Sequence, residues 1–321
     1  MKKYLNLIIA LSGPHGAGCS SLADDLEKIV NNWPGCCAIR IHVADLIERY
    51  YHLIVNEALS VNKDSQPQRR QGLQEAGTKM RRKDPESIGK IISTEIYHSG
   101  LKFEEKQDQN INTIVFIVDS LKNKYELELL RKTYGQEFYF VFVHADKEGR
   151  WRRLIDYKSW DKNDRVEFEQ RDQIDQEEKI FDPTVKAFGQ QVQKLSSKAD
   201  YYIVNNTNRE DLKEDGQRLI DLLFGSDSNQ PTFHERNMHI AYSASNSSFC
   251  LSRQVGAAIV DQNGNILGVG HNDVPKAMGG LYTNGDVDDR RCFAVGDRRC
   301  INDTNKEERY DLLLKNRLCS L

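Results

Sequence analysis

The chain has 321 residues, 39% of them hydrophobic and 29% charged. That is enough length for two domains, each with its own core. A net charge of −3 leaves no overall basic footprint for nucleic acid, although local basic clusters remain. The early apolar run Leu5–Leu11 is too short to span a membrane and leads into a glycine turn rather than a cleavage site, so a cytoplasmic protein is expected. The seven cysteines, an odd number in a long chain without Cys-x-x-Cys spacing, argue against a disulfide framework.

In chain order, Tyr4–Leu11 reads as a buried strand and Ser12–Ser20 as a glycine-rich turn. From Ser20, apolar residues recur at Leu22, Leu26, Ile29 and Val30 with helical spacing. The helix stops at Asn31–Gly35, and Arg40–Val43 is a second strand. Val61–Pro85 is polar and basic, with Arg69, Arg70, Lys79, Arg81, Arg82 and Lys83. Ile114–Val118 is a strand ending at Asp119, Tyr125–Lys132 a helix and Phe138–Val143 a further strand. A charged, arginine-bearing stretch, Lys147–Glu178, precedes the strand Tyr201–Val204 and the helix Asp211–Phe224. Strands alternating with helices predict one α/β domain over residues 1–225, a three-layer parallel sandwich.

Gly225–Pro231 has linker composition, which puts a linker at 226–232 and a second domain at 233–321. There a helix is predicted over Phe233–Ser245 and a strand over Val255–Val260, burying Val255, Ala257 and Ile259 on one face. A turn at Asp261–Asn265, with Asn263-Gly264 at its centre, leads into the returning strand Ile266–Gly270. After about Pro275 the periodicity is weak.

The turn Gly13-Pro14-His15-Gly16-Ala17-Gly18-Cys19-Ser20 has P-loop spacing at both end glycines and at the serine. A strand precedes it and an amphipathic helix follows, the context in which backbone N–H groups wrap a phosphate. Gly13, His15, Gly16, Ala17, Gly18, Cys19, Ser20 and Ser21 are the candidate phosphate-binding residues. ATP or GTP with Mg²⁺ is the expected ligand, with the Ser20 hydroxyl and the strand-end Asp119 as Mg²⁺ candidates. Cys19 stands where a P-loop carries lysine, which weakens phosphoryl transfer more than phosphate binding. Asp45 is a weaker acid of the same kind. Arg150, Arg153, Arg165 and Arg171, with Arg152 among them, would suit a lid over phosphates. The alternatives are an ordinary glycine turn, a loop-capping carboxylate and a solvated helix face.

The run Val118-Asp119-Ser120-Leu121-Lys122-Asn123, followed by Glu126, Glu128, Leu129, Leu130 and Arg131, resembles the matching stretch of dephospho-coenzyme A kinases and deoxynucleoside monophosphate kinases. The resemblance covers most of residues 1–225 and departs at Cys19.

Ser248-Phe249-Cys250-Leu251-Ser252-Arg253-Gln254-Val255-Gly256-Ala257-Ala258-Ile259-Val260, then Gly270-His271-Asn272-Asp273-Val274-Pro275, resembles the first hairpin of deoxycytidylate deaminases. That resemblance implies a cytidine-deaminase-like α/β domain and substrate contacts from Arg253 and Asn272. The family's zinc chemistry needs His-x-Glu and Pro-Cys-x-x-Cys, and none of the eight histidines or seven cysteines completes either motif. Zinc is expected for the family, but its ligands, and any catalytic residue, are absent from this chain. Cys292 and Cys300 are read as unmodified thiols. The family motifs would follow the Asn-x-x-Pro loop, so a truncated deaminase domain is expected, and with it poor solubility or self-association.

A P-loop domain joined to such a block resembles the two-domain deaminases of bacterial anti-phage defence. The resemblance implies deamination of dCTP or dCMP under a regulatory nucleotide-binding domain, in a homo-oligomer when the protein is whole, with an RNA or protein regulator. Two other readings stay open: a deoxynucleoside monophosphate kinase and a non-catalytic nucleotide sensor.

Overall fold

The computed structural model describes residues 4–59, 66–105, 110–157, 160–176, 188–225, 229–295 and 298–318. The chain divides into two compact units, Met1–Ser226 and Asp227–Leu321.

The first unit is a three-layer α/β sandwich. Its strands are β1 (Leu5–Ser12), β2 (Cys36–His42), β3 (Thr113–Asp119), β4 (Phe138–His144) and β5 (Tyr201–Val204). They form one sheet in the order β2-β3-β1-β4-β5, parallel throughout. The helices are α1 (Cys19–Asn31), α2 (Val43–Val55), α3 (Gln66–Lys83), α4 (Ser87–Glu105), α5 (Lys124–Tyr134), α6 (Lys147–Tyr157), α7 (Arg165–Gln176), α8 (Val192–Ser196) and α9 (Arg209–Leu223).

Alternation along the strands sorts the core into two halves. Ile9, Leu11, Val115, Ile117, Val141 and Val143 meet Leu22 and Leu26 of α1 and Leu219 and Ile220 of α9. Ile8, Ala10, Phe116, Val118 and Phe140 meet Leu46 of α2, Ile88 and Ile92 of α4 and Leu127 and Leu130 of α5. Central strands buried on both faces read as continuous apolar runs, and β3 is buried at every residue.

One expectation is corrected here. The second strand is Cys36–His42, and Val43 opens α2 rather than closing the strand. The basic stretch Val61–Pro85 contains α3, whose buried anchors include Ala76, Met80 and Arg81.

In the second unit, α10 (Phe233–Ser245) precedes the antiparallel hairpin of β6 (Gly256–Val260) and β7 (Ile266–His271). Helices α11 (Cys292–Val295) and α12 (Ile301–Leu318) lie beyond. The hairpin turn is led by Asp261, whose carboxylate accepts from the Asn263 and Asn265 amides at 2.9 and 2.8 Å. The strand's inner face differs from the expected one. Ile259 is 65% exposed and Val255 46%, whereas Gly256, Ala258 and Val260 are half-buried. The reason lies at Gly256, where α10 comes so close that a Cβ would sit 1.9 Å from the Ala241 carbonyl oxygen. Arg291 is buried against the adjoining rings of Phe249 and Phe293, 4.5 and 4.9 Å from their centres, and pairs with Asp289 at 2.6 Å.

Candidate phosphate site

In a sheet of this order, the connection from β1 runs toward β2 over one face. The connection from β3 runs toward β4 over the other. Adjacent strands whose connections diverge leave a crevice at their C-terminal ends, where α/β folds bind ligands. The loop Gly13–Gly18 sits there, between β1 and the N-terminus of α1. Gly16 and Gly18 hold φ of 80° and 105°, left-handed values that glycine adopts without cost.

The loop's carbonyls are bonded, four of them by side chains from outside the loop. Gly13 O accepts from Lys122 Nζ at 2.7 Å, His15 O from Arg150 Nη1 at 3.0 Å and Gly16 O from Arg153 Nη1 at 3.3 Å. Ala17 O accepts from Asn205 Nδ2 at 2.8 Å, and Pro14 O from the Ala17 amide at 3.0 Å. Apart from the Ala17 N–H, which serves Pro14 O, the loop's N–H groups lie at a helix N-terminus, the arrangement of an anion-binding nest.

Lys122 comes from the loop after β3. Ser12 Oγ donates to Leu121 O at 2.7 Å, and the Leu121 amide donates to Leu11 O at 2.8 Å, which ties the ends of β1 and β3 together. The Lys122 backbone is held from both sides. Its N–H donates to Glu126 Oε2 at 2.9 Å, and its carbonyl accepts from the Gln191 amide at 2.8 Å. Glu126 closes a capping box with Asn123 at the start of α5. Its other oxygen takes two bonds from Arg81, at 2.8 and 2.6 Å, and both residues are buried. Sequence reasoning placed Lys122 in a family motif but gave it no role. Its reach to Gly13 follows from β3 lying beside β1, and strand order is not written in any one segment.

The other candidates fall in different places. Ser20 is exposed on the first turn of α1, and its carbonyl accepts from Arg40 Nη2 at 3.1 Å. Ser21 O accepts from Arg209 at 3.0 Å. Asp119 is buried and paired with Arg40 at 2.7 Å, while His42 Nδ1 lies 3.8 Å away. Arg40 also pairs with Asp24. Asp45 lies 3.8 Å from Arg69. His15 is buried against the Trp160 ring, with Nε2 accepting from Arg70 at 3.1 Å. Cys19 is buried, and desolvation pushes its thiol up to about 12, against the pull of the Lys122 ammonium. A thiol so placed is neutral and unreactive. The six described cysteines are all free.

Of the four expected lid arginines, Arg150 and Arg153 belong to the loop's wall. Arg150 makes a buried pair with Asp172 at 2.5 Å, and Arg153 also donates to the Asn205 carbonyl. Burial lowers the Arg153 pKa. Arg165 is tied to Glu148 at 2.6 Å and Glu169 at 2.9 Å. The Arg171 side chain lies outside the described residues, as does Cys319.

A groove of about 780 Å³ lies between α3 and α7, lined by Gln71, Gln74 and Thr78 on one side and Asn163, Glu167 and Gln170 on the other. Gln74 donates at 3.3 Å to Gln190, which also lines the groove and is next to the Gln191 that holds Lys122.

In the second unit, three hydrogen bonds hold the Asn272 side chain. Its Oδ1 accepts from Ser248 Oγ at 2.9 Å and the Val255 amide at 2.7 Å, and its Nδ2 donates to the Arg253 carbonyl at 2.8 Å. Arg253 is exposed. Among the described residues, no three His, Cys, Asp or Glu side chains come together as a metal site. No described helix is long and apolar enough to cross a membrane.

No protein-family model matches the chain, and no curated protein matches it. Among solved structures it is similar to an APS kinase of Mycobacterium tuberculosis in complex with AMPPNP and APS. The identity is 17%, over 69% of this chain and 99% of that one, with a TM-score of 0.36. A shikimate kinase from Acinetobacter baumannii, in complex with shikimate, is 13% identical over 71% of this chain and 97% of its own, at 0.34. A gluconokinase from Sinorhizobium meliloti is 12% identical over 71% and 99%, also at 0.34. Likenesses this distant bear no weight for function. The fold assignment rests on the parallel strand order and on the glycine loop between β1 and α1.

Proposed function

We propose that the first unit binds a nucleoside triphosphate, ATP or GTP with Mg²⁺, through the loop Gly13–Ser20. The observation that carries this reading is that side chains from outside the loop bond the carbonyls of Gly13, His15, Gly16 and Ala17. It leaves a nest of N–H groups at a topological switch point. Ser20 is the Mg²⁺ candidate that remains solvent-facing. Asp119 would reach the ion only by yielding Arg40 or through water. Titration of the protein with ATP and GTP, with and without Mg²⁺, tests the reading. Saturable binding is expected, and Gly18→Val should abolish it. Gly18 leaves only 2.4 Å between an added Cβ and Asn205 Nδ2. If millimolar nucleotide and inorganic tripolyphosphate both fail to bind, the reading is wrong.

In the same proposal the second unit recognises deoxycytidine nucleotides, dCTP or dCMP, and the P-loop unit regulates it, with depletion of the nucleotide pool during phage infection as the biological outcome. The length of the Ser248–Val260 and Gly270–Pro275 match supports this. Zinc does not fit the residues present, so no hydrolytic step is derived for this chain. The expected result is no ammonium release from dCTP or dCMP with added Zn²⁺, and release would overturn that statement.

The groove between α3 and α7 favours a second reading, a phosphotransferase, because it offers room for an acceptor, and its Gln190 adjoins the Gln191 that holds Lys122. Transfer of the ATP γ-phosphate to a deoxynucleoside monophosphate would establish it, and nucleotide binding without transfer would leave a sensor.

A further inference from the structure

We infer that Lys122 supplies the phosphate-neutralising cation that Cys19 cannot. The inference rests on the nucleotide-binding reading above and adds a residue from a different strand to the site. Three observations carry it. The P-loop lysine position is a buried thiol that holds no charge at neutral pH. The ammonium of Lys122, carried by the loop after β3, reaches the glycine loop and donates to Gly13 O at 2.7 Å. An ammonium has three donors, and this bond uses one, so two remain for phosphate oxygens. The backbone that carries Lys122 is fixed by Glu126 and Gln191, and Glu126 is itself locked by Arg81. A cation held in place before ligand arrives loses little freedom on binding.

The geometry explains how the loop dispenses with lysine. In the usual P-loop the charge is carried on α1, beside the serine. Here the charge comes from the neighbouring strand of the switch point, and the vacated helix position is filled by a small apolar group. Cys19 packs in the core half that also holds Ala17 and Leu22.

The test compares full-length wild type with Lys122→Met and Lys122→Arg, using ATP and inorganic tripolyphosphate as probes. Binding is read by calorimetry and by the ligand-induced rise in melting temperature. Loss of one charge-assisted contact should weaken ATP about 10- to 100-fold in Lys122→Met. Lys122→Arg, which keeps the charge, should retain most of the affinity. The unliganded melting temperature should fall by no more than about 12 °C, the worth of one hydrogen bond from a charged donor.

If wild type binds neither probe, the nucleotide reading itself fails. If wild type binds and Lys122→Met binds equally well, the assignment of Lys122 is overturned while the nucleotide reading stands. The assignment is also overturned if Lys122→Met lowers the unliganded melting temperature strongly yet keeps the ligand-induced rise, because the lysine would then only shape the loop.

Discussion

Glu126→Ala tests whether the polar clamp behind the loop organises the first unit. Glu126 is wholly buried and Arg81 is 3% exposed. One carboxylate oxygen takes the two Arg81 bonds, and the other takes the Lys122 and Asn123 amides at 2.9 and 3.1 Å. Alanine removes all four bonds and leaves a buried guanidinium without its counter-charge. Breaking such a pair costs ~3–5 kcal/mol, and the lost capping contact at α5 belongs to the same loss rather than adding to it. For a unit of this size, 1 kcal/mol moves the melting temperature by about 2–4 °C, so a fall of roughly 6–20 °C is expected. Urea and thermal unfolding followed by near-UV signal measure it. Arg81→Met should be similarly damaging. The double variant Arg81→Met with Glu126→Met should recover part of the loss, because a buried pair replaced whole by apolar groups is often near neutral. Added salt should change the wild-type value little, since buried pairs are weakly screened. A Glu126→Ala loss under about 1 kcal/mol, or no recovery in the double variant, would refute the reasoning.

Other outcomes follow from single contacts. Arg150→Met should cost ~3–5 kcal/mol by stranding Asp172. It should also weaken nucleotide binding by freeing the His15 carbonyl, measured by unfolding and titration together. Cys19 should resist alkylation at pH 8 until the protein unfolds, read by mass spectrometry of the labelled peptide. Its folded pKa is raised from 9.0 to about 12, so the folded state keeps the proton that the unfolded chain loses. Stability conferred by Cys19 is therefore complete below pH 9 and declines as pH rises toward 12, at most about 1.4 kcal/mol per pH unit. A wild-type minus Cys19→Ala stability difference that stays flat across that window would contradict it. Gly256→Ala should dislodge α10 from the hairpin and abolish any separate melting transition of the second unit, whereas Ile259→Thr, on the exposed side, should leave that transition within about 0.5 kcal/mol of wild type.

The sheet was largely legible because its central strands are buried on both faces, and Leu5–Ser12, Thr113–Asp119 and Phe138–His144 stand out as apolar runs between polar neighbours. The strand Cys36–His42 was half missed, since its start is Cys36, Cys37 and Ala38 rather than large β-branched residues. Helix α3 was invisible to periodicity for a different reason. It carries few apolar residues, and much of its anchoring is an ion pair, Arg81 with Glu126, 45 positions apart. No local pattern encodes such a pair. The arginines show the same gap. Charge and spacing suggested a lid for Arg150 and Arg153, but their carbonyl partners, His15 and Gly16, lie across the fold. Sequence marks where a cation is, and its partner decides whether it faces ligand or wall.

The second hairpin shows where alternation itself gives out. Val255, Ala257 and Ile259 alternate as a buried face should, but so do Gly256, Ala258 and Val260, and every one of these residues is apolar or glycine. A period-two argument needs one polar face to choose between them, and β6 has none. The choice is made by volume instead. α10 can reach the strand only where no side chain stands in its way, and Gly256 is that place, with the Ala241 carbonyl inside the space a Cβ would need. The larger residues are then driven to the opposite face, where Ile259 lies across from Gly268 and Ala257 from Gly270. The residue that looked least informative in the strand fixes which way the strand faces.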